Sequence, residues 1–88
     1  MKKSQILENF ARALGKVITR RRTELGLTQE ELAHQCGLHR TYISDIERGK
    51  RNFTMGCFYR LAYTLKLKPV ELIELAKPEP LTWNRTND

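Results

Sequence analysis

No stretch of this 88-residue chain approaches the roughly 20 consecutive apolar residues that a membrane-spanning helix needs. Cysteine is scarce as well. Cys36 and Cys57 cannot build a disulfide framework, and each sits within a helical pattern, as a small apolar residue in a reducing cytosol would. Three prolines and five glycines leave little material for linkers, and their scarcity suits a compact helical fold. Acidic residues are outnumbered, 10 against 16 Lys and Arg, for a net charge of +6. That imbalance favours a polyanionic partner, because releasing counterions from phosphates rewards a basic surface. The opening MKKSQIL has the charge of a secretory leader, but Glu8, Asn9 and Arg12 interrupt any apolar core for one. A soluble, cytoplasmic, single-core protein is expected, with no membrane association.

What is present reads as helices. Ser4 is placed to cap a long first helix whose apolar positions Ile6, Leu7, Phe10, Leu14, Val17 and Ile18 recur at three- and four-residue spacing. Arg20, Arg21 and Arg22 crowd its last turns, where cations complement the helix dipole, and Gly26 supplies a stop. Thr28 and Glu31 have capping-box spacing, so a second helix should start at Gln29, bury Leu32, Ala33 and Cys36, and stop at Gly37. A third helix should begin near His39 or Arg40 and run to Arg48, with Gly49 ending it. Thr54 caps a fourth helix with Phe58, Leu61, Ala62 and Leu65 inward. Pro69 opens a fifth in which Val70, Leu72, Ile73 and Leu75 are expected to make apolar contacts. There is no internal repeat, no low-complexity segment and no convincing strand. The expected fold class is all-α: a compact five-helix bundle containing a helix-turn-helix. Residues 1–12 form the leading part of the first helix, 13–76 the DNA-binding unit, and 77–88 a polar tail.

The stretch TQEELAHQCGLHRTYISDIERG, residues 28–49, carries the chemistry. Counting from Gln29, a small residue falls fifth (Ala33), a glycine ninth (Gly37), and two isoleucines fifteenth and eighteenth (Ile43, Ile46). A small fifth residue lets one short helix cross closely over another. Glycine at the turn tolerates positive φ, and the paired isoleucines anchor the second helix to the core. Thr41, Ser44, Asp45 and Arg48 then fall on the outward arc, with Arg40 projecting from the helix start. Such a set suits base edges in the major groove of duplex DNA, where an arginine grips guanine bidentately. Asp45 is the odd member: it either accepts from a cytosine amine or orients a neighbouring arginine. Flanking contacts to the DNA backbone are expected from Gln29 with the free N–H groups of its helix, and from Lys50, Arg51 and Asn52. Tyr42, beside the readout face, is in place to give its hydroxyl to a phosphate.

LGLTQEELA followed by G-L-x-R-T-Y-I-S-D-I-E-R-G resembles the lambda-repressor and Cro-type helix-turn-helix regulators, from Leu14 to about Ala76. The resemblance implies an ion pair between Glu47 and Arg22. It also carries base-reading and phosphate-gripping roles to Gln29, Arg40, Thr41, Ser44, Asp45 and Arg48. RTYIS-x-IER-x-x-RN is especially similar to the controller proteins of restriction–modification systems, small dimeric regulators. By that likeness Arg40 is the main base reader, assisted by Thr41, Ser44 and Arg51. His39 departs from the pattern, standing where Ser, Thr or Asp is commoner as a cap.

Other readings fit less well. His34, Cys36 and His39 form an H-x-C-x-x-H string, but residues 34 and 36 lie on opposite faces of one helix and no fourth ligand is evident, so no metal is expected. No carboxylate is placed to orient a histidine and there is no phosphate-cradling loop, so no enzyme and no cofactor is expected either. The function expected is sequence-specific transcriptional regulation, through a near-palindromic operator bound by a homodimer. The alternative is an antitoxin-like or bridging module whose main partner is a protein. Phe58, Tyr59, Val70, Ile73 and Trp83 are the candidate dimer surface, since aromatic and apolar residues gather at interfaces.

Overall fold

The computed structural model describes residues 3–51 and 53–76. Its five helices are α1 (Lys3–Glu24), α2 (Gln29–Cys36), α3 (Arg40–Glu47), α4 (Met55–Thr64) and α5 (Pro69–Ala76), and no strand occurs among the described residues. The all-α bundle expected from the spacing is what forms.

Local chemistry sets most helix boundaries. Thr28 closes a full capping box: its hydroxyl accepts from the Glu31 N–H at 3.0 Å, and its own N–H donates to the Glu31 carboxylate at 2.8 Å. Hydrogen bonding to that carboxylate, first from the Thr28 N–H and then from the Thr28 side chain, holds the Glu31 carboxyl below its ordinary range. Thr54 likewise accepts from the Cys57 N–H. Pro69 is the first residue of α5, and the Lys68 N–H beside it donates to Glu71 at 2.8 Å. His39 precedes α3 without any side-chain capping bond. Ser4 lies inside α1, which already includes Lys3, so it is not the cap.

The first four helices end in one way. After α2, the Gly37 N–H bonds the His34 carbonyl and the Leu38 N–H reaches back to Ala33, the paired closure of a Schellman motif. Gly37 sits at φ 71°, the left-handed conformation this closure requires. The same pair of bonds ends α1, α3 and α4. After α4, however, Lys66 takes the left-handed position at φ 60°, the non-glycine exception among the described residues. Arg21 braces that turn by donating to the Leu65 carbonyl at 2.9 Å.

Each helix sends side chains into a shared centre: Leu14 and Ile18, Leu32, Ile43 and Ile46, Leu61, and Leu72, with Leu65 from the turn after α4, are essentially sealed from solvent. Two expected stripes are shorter than their sequence pattern. Leu7 is exposed at the edge of an open apolar groove, which it lines with Phe10, Phe53, Met55, Phe58 and Ile73. On the eight-residue α5, the inward positions are Leu72 and Ala76, four apart, which leaves Val70, Ile73 and Leu75 facing outward.

Helices α1 and α3 meet backbone to backbone. A methyl group at Gly15 would lie 2.5 Å from the Glu47 carbonyl oxygen and 2.6 Å from that of Ile46. One at Gly49 would lie 2.8 Å from the Cα of Arg12. Gly15→Ala therefore sets two effects against each other. Alanine gains about 1 kcal/mol of helix propensity, while forcing α1 off two main-chain carbonyls costs on the order of 1–3 kcal/mol. Because backbone cannot swing aside as a side chain can, a lower melting temperature is expected. A raised one in calorimetry would contradict the close crossing.

Candidate nucleic-acid interface

With Ile43 and Ile46 in the core, α3 turns its other side outward. Arg40 and Thr41 at its start are exposed, Ser44 and Asp45 are half-buried, and Arg48, one residue past its end, is exposed. Lys50 and Arg51 continue the basic surface, and Gln29 lies beside Arg40 at the start of α2. Side-chain contacts join Gln29 to Arg40, and Asp45 to Arg48 and Arg51. Asn52 and Trp83 lie outside the described residues.

The face is fixed to α1 by the ion pair expected from the family likeness. Arg22 Nε donates to Glu47 Oε2 at 2.6 Å and its Nη2 to Oε1 at 3.1 Å, a two-pronged grip. Arg22 Nη1 also donates to the Leu27 carbonyl at 2.8 Å, which ties the α1–α2 turn into the same group. The side chains are 13% and 5% exposed, so the pair is largely desolvated. One link was not legible beforehand. Gln29 Nε2 donates to Glu47 Oε1 at 2.9 Å, while Gln29 Oε1 accepts from Arg40 Nη1 at 3.3 Å. The expected base reader therefore connects through Gln29 to the buried pair. Residues 22, 29, 40 and 47 are too far apart in sequence for spacing to reveal that chain.

Asp45 pairs with two neighbouring arginines. Its Oδ1 accepts from Arg48 at 3.0 Å and its Oδ2 from Arg51 at 3.4 Å. The Arg51 guanidinium also lies 4.6 Å from the centre of the Tyr42 ring. Tyr42 packs partly against the core, with Cys57 as a neighbour. Burial, then the neighbouring Cys57, push its hydroxyl pKa up. Its contribution to the face is the ring beneath Arg51. The thiols of Cys36 and Cys57 are buried and burial raises their pKa, the opposite of what a reactive thiolate needs. His34 and His39 are exposed while Cys36 is not, and no three potential metal-binding side chains converge among the described residues.

Residues 18–72 match the helix-turn-helix family. The chain belongs to that family. Control protein C.BamHI of Bacillus amyloliquefaciens is 42% identical over 59 residues, covering 67% of this chain and 73% of that protein. The uncharacterized HTH-type transcriptional regulator y4dJ of Sinorhizobium fredii is 42% identical over 65 residues, covering 74% and 84%. Among solved structures, the restriction–modification controller protein C.AhdI from Aeromonas hydrophila is similar with a TM-score of 0.68 at 39% identity, over 70% of this chain and 94% of that one. This helix-turn-helix protein is a DNA-binding transcriptional regulator, and its family is one of regulators, not enzymes. Among its described residues no helix is long and apolar enough to cross a membrane.

Removing one partner of the buried pair should be severe. Arg22→Ala leaves the Glu47 carboxylate desolvated and is expected to cost about 3–5 kcal/mol. Glu47→Ala should do similar damage, and the double variant should lose far less than the sum. Urea denaturation of the three variants measures this. Additive losses would show that the two side chains are not coupled.

Proposed function

We propose that this regulator reads a near-palindromic operator as a homodimer, in the manner of a restriction–modification controller, with α3 laid in the major groove. The observation that carries the reading is the division of α3 itself: Ile43 and Ile46 are sealed in the core while Arg40 and Thr41 face solvent. Arg40 is the principal base reader, with Thr41, Ser44 and Arg48 beside it. Gln29, Lys50, Arg51 and Asn52 grip phosphates on either side, Tyr42 supporting Arg51 from below. The unit that does this spans residues 13–76 and works in the cytoplasm.

One such unit touches few base pairs, so two half-sites about one helical turn apart, roughly 34 Å, supply the selectivity. Exposed Tyr59, Val70 and Ile73 on α4 and α5 are the surface proposed for the second copy. Phe58, also a candidate, lies in the core with its ring stacked on Phe53, so its part is to support that surface. The controller role is supported by likeness to proteins bearing that name on more than one organism's chain.

Arg40→Ala is expected to weaken operator binding by about 1–3 kcal/mol and to relax preference at one base pair per half-site. Affinity should also fall with salt at a slope near −0.9 per phosphate neutralised. Titrating the variant against an operator series checks both. An unchanged ratio of operator to random-duplex affinity would remove Arg40 from the readout.

A further inference from the structure

We propose that Asp45 restrains sequence-indifferent DNA binding, its carboxylate holding Arg48 and Arg51 until the base edges and phosphates of a matching duplex take them over. The inference rests on the DNA-reading role given to α3 above. Residues 40–51 carry two carboxylates. Glu47 is almost fully buried and committed to Arg22 and Gln29, so it does not project toward DNA. Asp45 is 22% exposed and sits among the cations themselves. Each of its oxygens engages a different arginine, one after α3 and one in the loop beyond, with both guanidinium groups still about half exposed.

Exposed ion pairs of this kind are weak, so a better acceptor displaces them. A random duplex offers phosphates at variable distance. Against these, Asp45 cancels positive charge and adds repulsion, since carboxylate and phosphate share one sign. A matching duplex offers the arginines fixed acceptors with planar geometry. There the carboxylate also has a positive effect, because it has already oriented Arg48 and Arg51, the second of them lying over the Tyr42 ring. Loss of the charge should therefore help all DNA, and help mismatched DNA most. Asp45 is on this account a positioning residue, and selectivity is what it sets.

The test uses two duplexes: one recovered by selection from a random library with the native protein, and a scrambled duplex of the same composition. Affinities of native protein, Asp45→Asn and Asp45→Ser are measured by fluorescence anisotropy across a salt series. Thermal melts confirm that both variants fold. The scrambled duplex should bind both variants roughly three- to tenfold more tightly, with a salt dependence steeper by about one phosphate equivalent. The ratio of selected to scrambled affinity should fall in each. An unchanged ratio, or equal weakening on both duplexes, would overturn the inference and leave Asp45 a brace for the loop. A native protein that binds both duplexes alike would refute the readout face itself, and this inference with it.

Discussion

The Arg22–Glu47 pair joins the first helix to the last turn of the third inside a largely dry interface, and the placement of α3 depends on it. A charge pair in such a position is costly to desolvate and adds little net stability against an apolar alternative. What it supplies is position. Two parallel hydrogen bonds from a planar guanidinium define the direction of α3 as well as its distance from α1. Gly15 and Gly49 make the approach possible by letting main chain touch main chain where α1 passes the end of α3. A hydrophobic contact alone would tolerate sliding; this arrangement does not.

From that anchor, order passes outward to the surface. Glu47 shares an oxygen with Gln29, and Gln29 in turn receives Arg40. Arg48 and Arg51 are gathered by Asp45, with Tyr42 under the second of them. The long side chains that would contact DNA are thus held before any DNA arrives, which reduces the rotamer entropy lost on binding. The bonds run from 2.6 Å at the buried pair to 3.0, 3.3 and 3.4 Å at the exposed Arg48, Arg40 and Arg51. A rigid interior and exchangeable outer contacts are what a protein needs when it must both find and release duplex DNA.

Features that depend on a few neighbouring residues were legible in the sequence. The Thr28–Glu31 box, the turn at Gly37, the Thr54 cap, the start of α5 at Pro69 and the inward isoleucines of α3 all rest on local spacing. Features that depend on tertiary approach were not. Gly15 reads as an isolated glycine in a helical pattern, a signal that something passes close by but silent about what. Nothing near Lys66 announces a left-handed backbone. The outward turn of Val70 and Leu75 follows from Leu72 and Ala76 being the residues α5 buries, and Tyr42 packs partly against the core. The pairing of Asp45 with both Arg48 and Arg51 depends on how the end of α3 and the following loop lie together.

The most direct measurement is an amide NMR titration of the protein with its selected duplex. Shift changes should concentrate at Gln29 and Glu30 and across residues 40–51, while the buried positions of α4 and α5 stay near their free values. Changes confined to α4 and α5, with Arg40, Thr41 and Ser44 unmoved, would contradict the assignment of α3 as the surface that reads DNA.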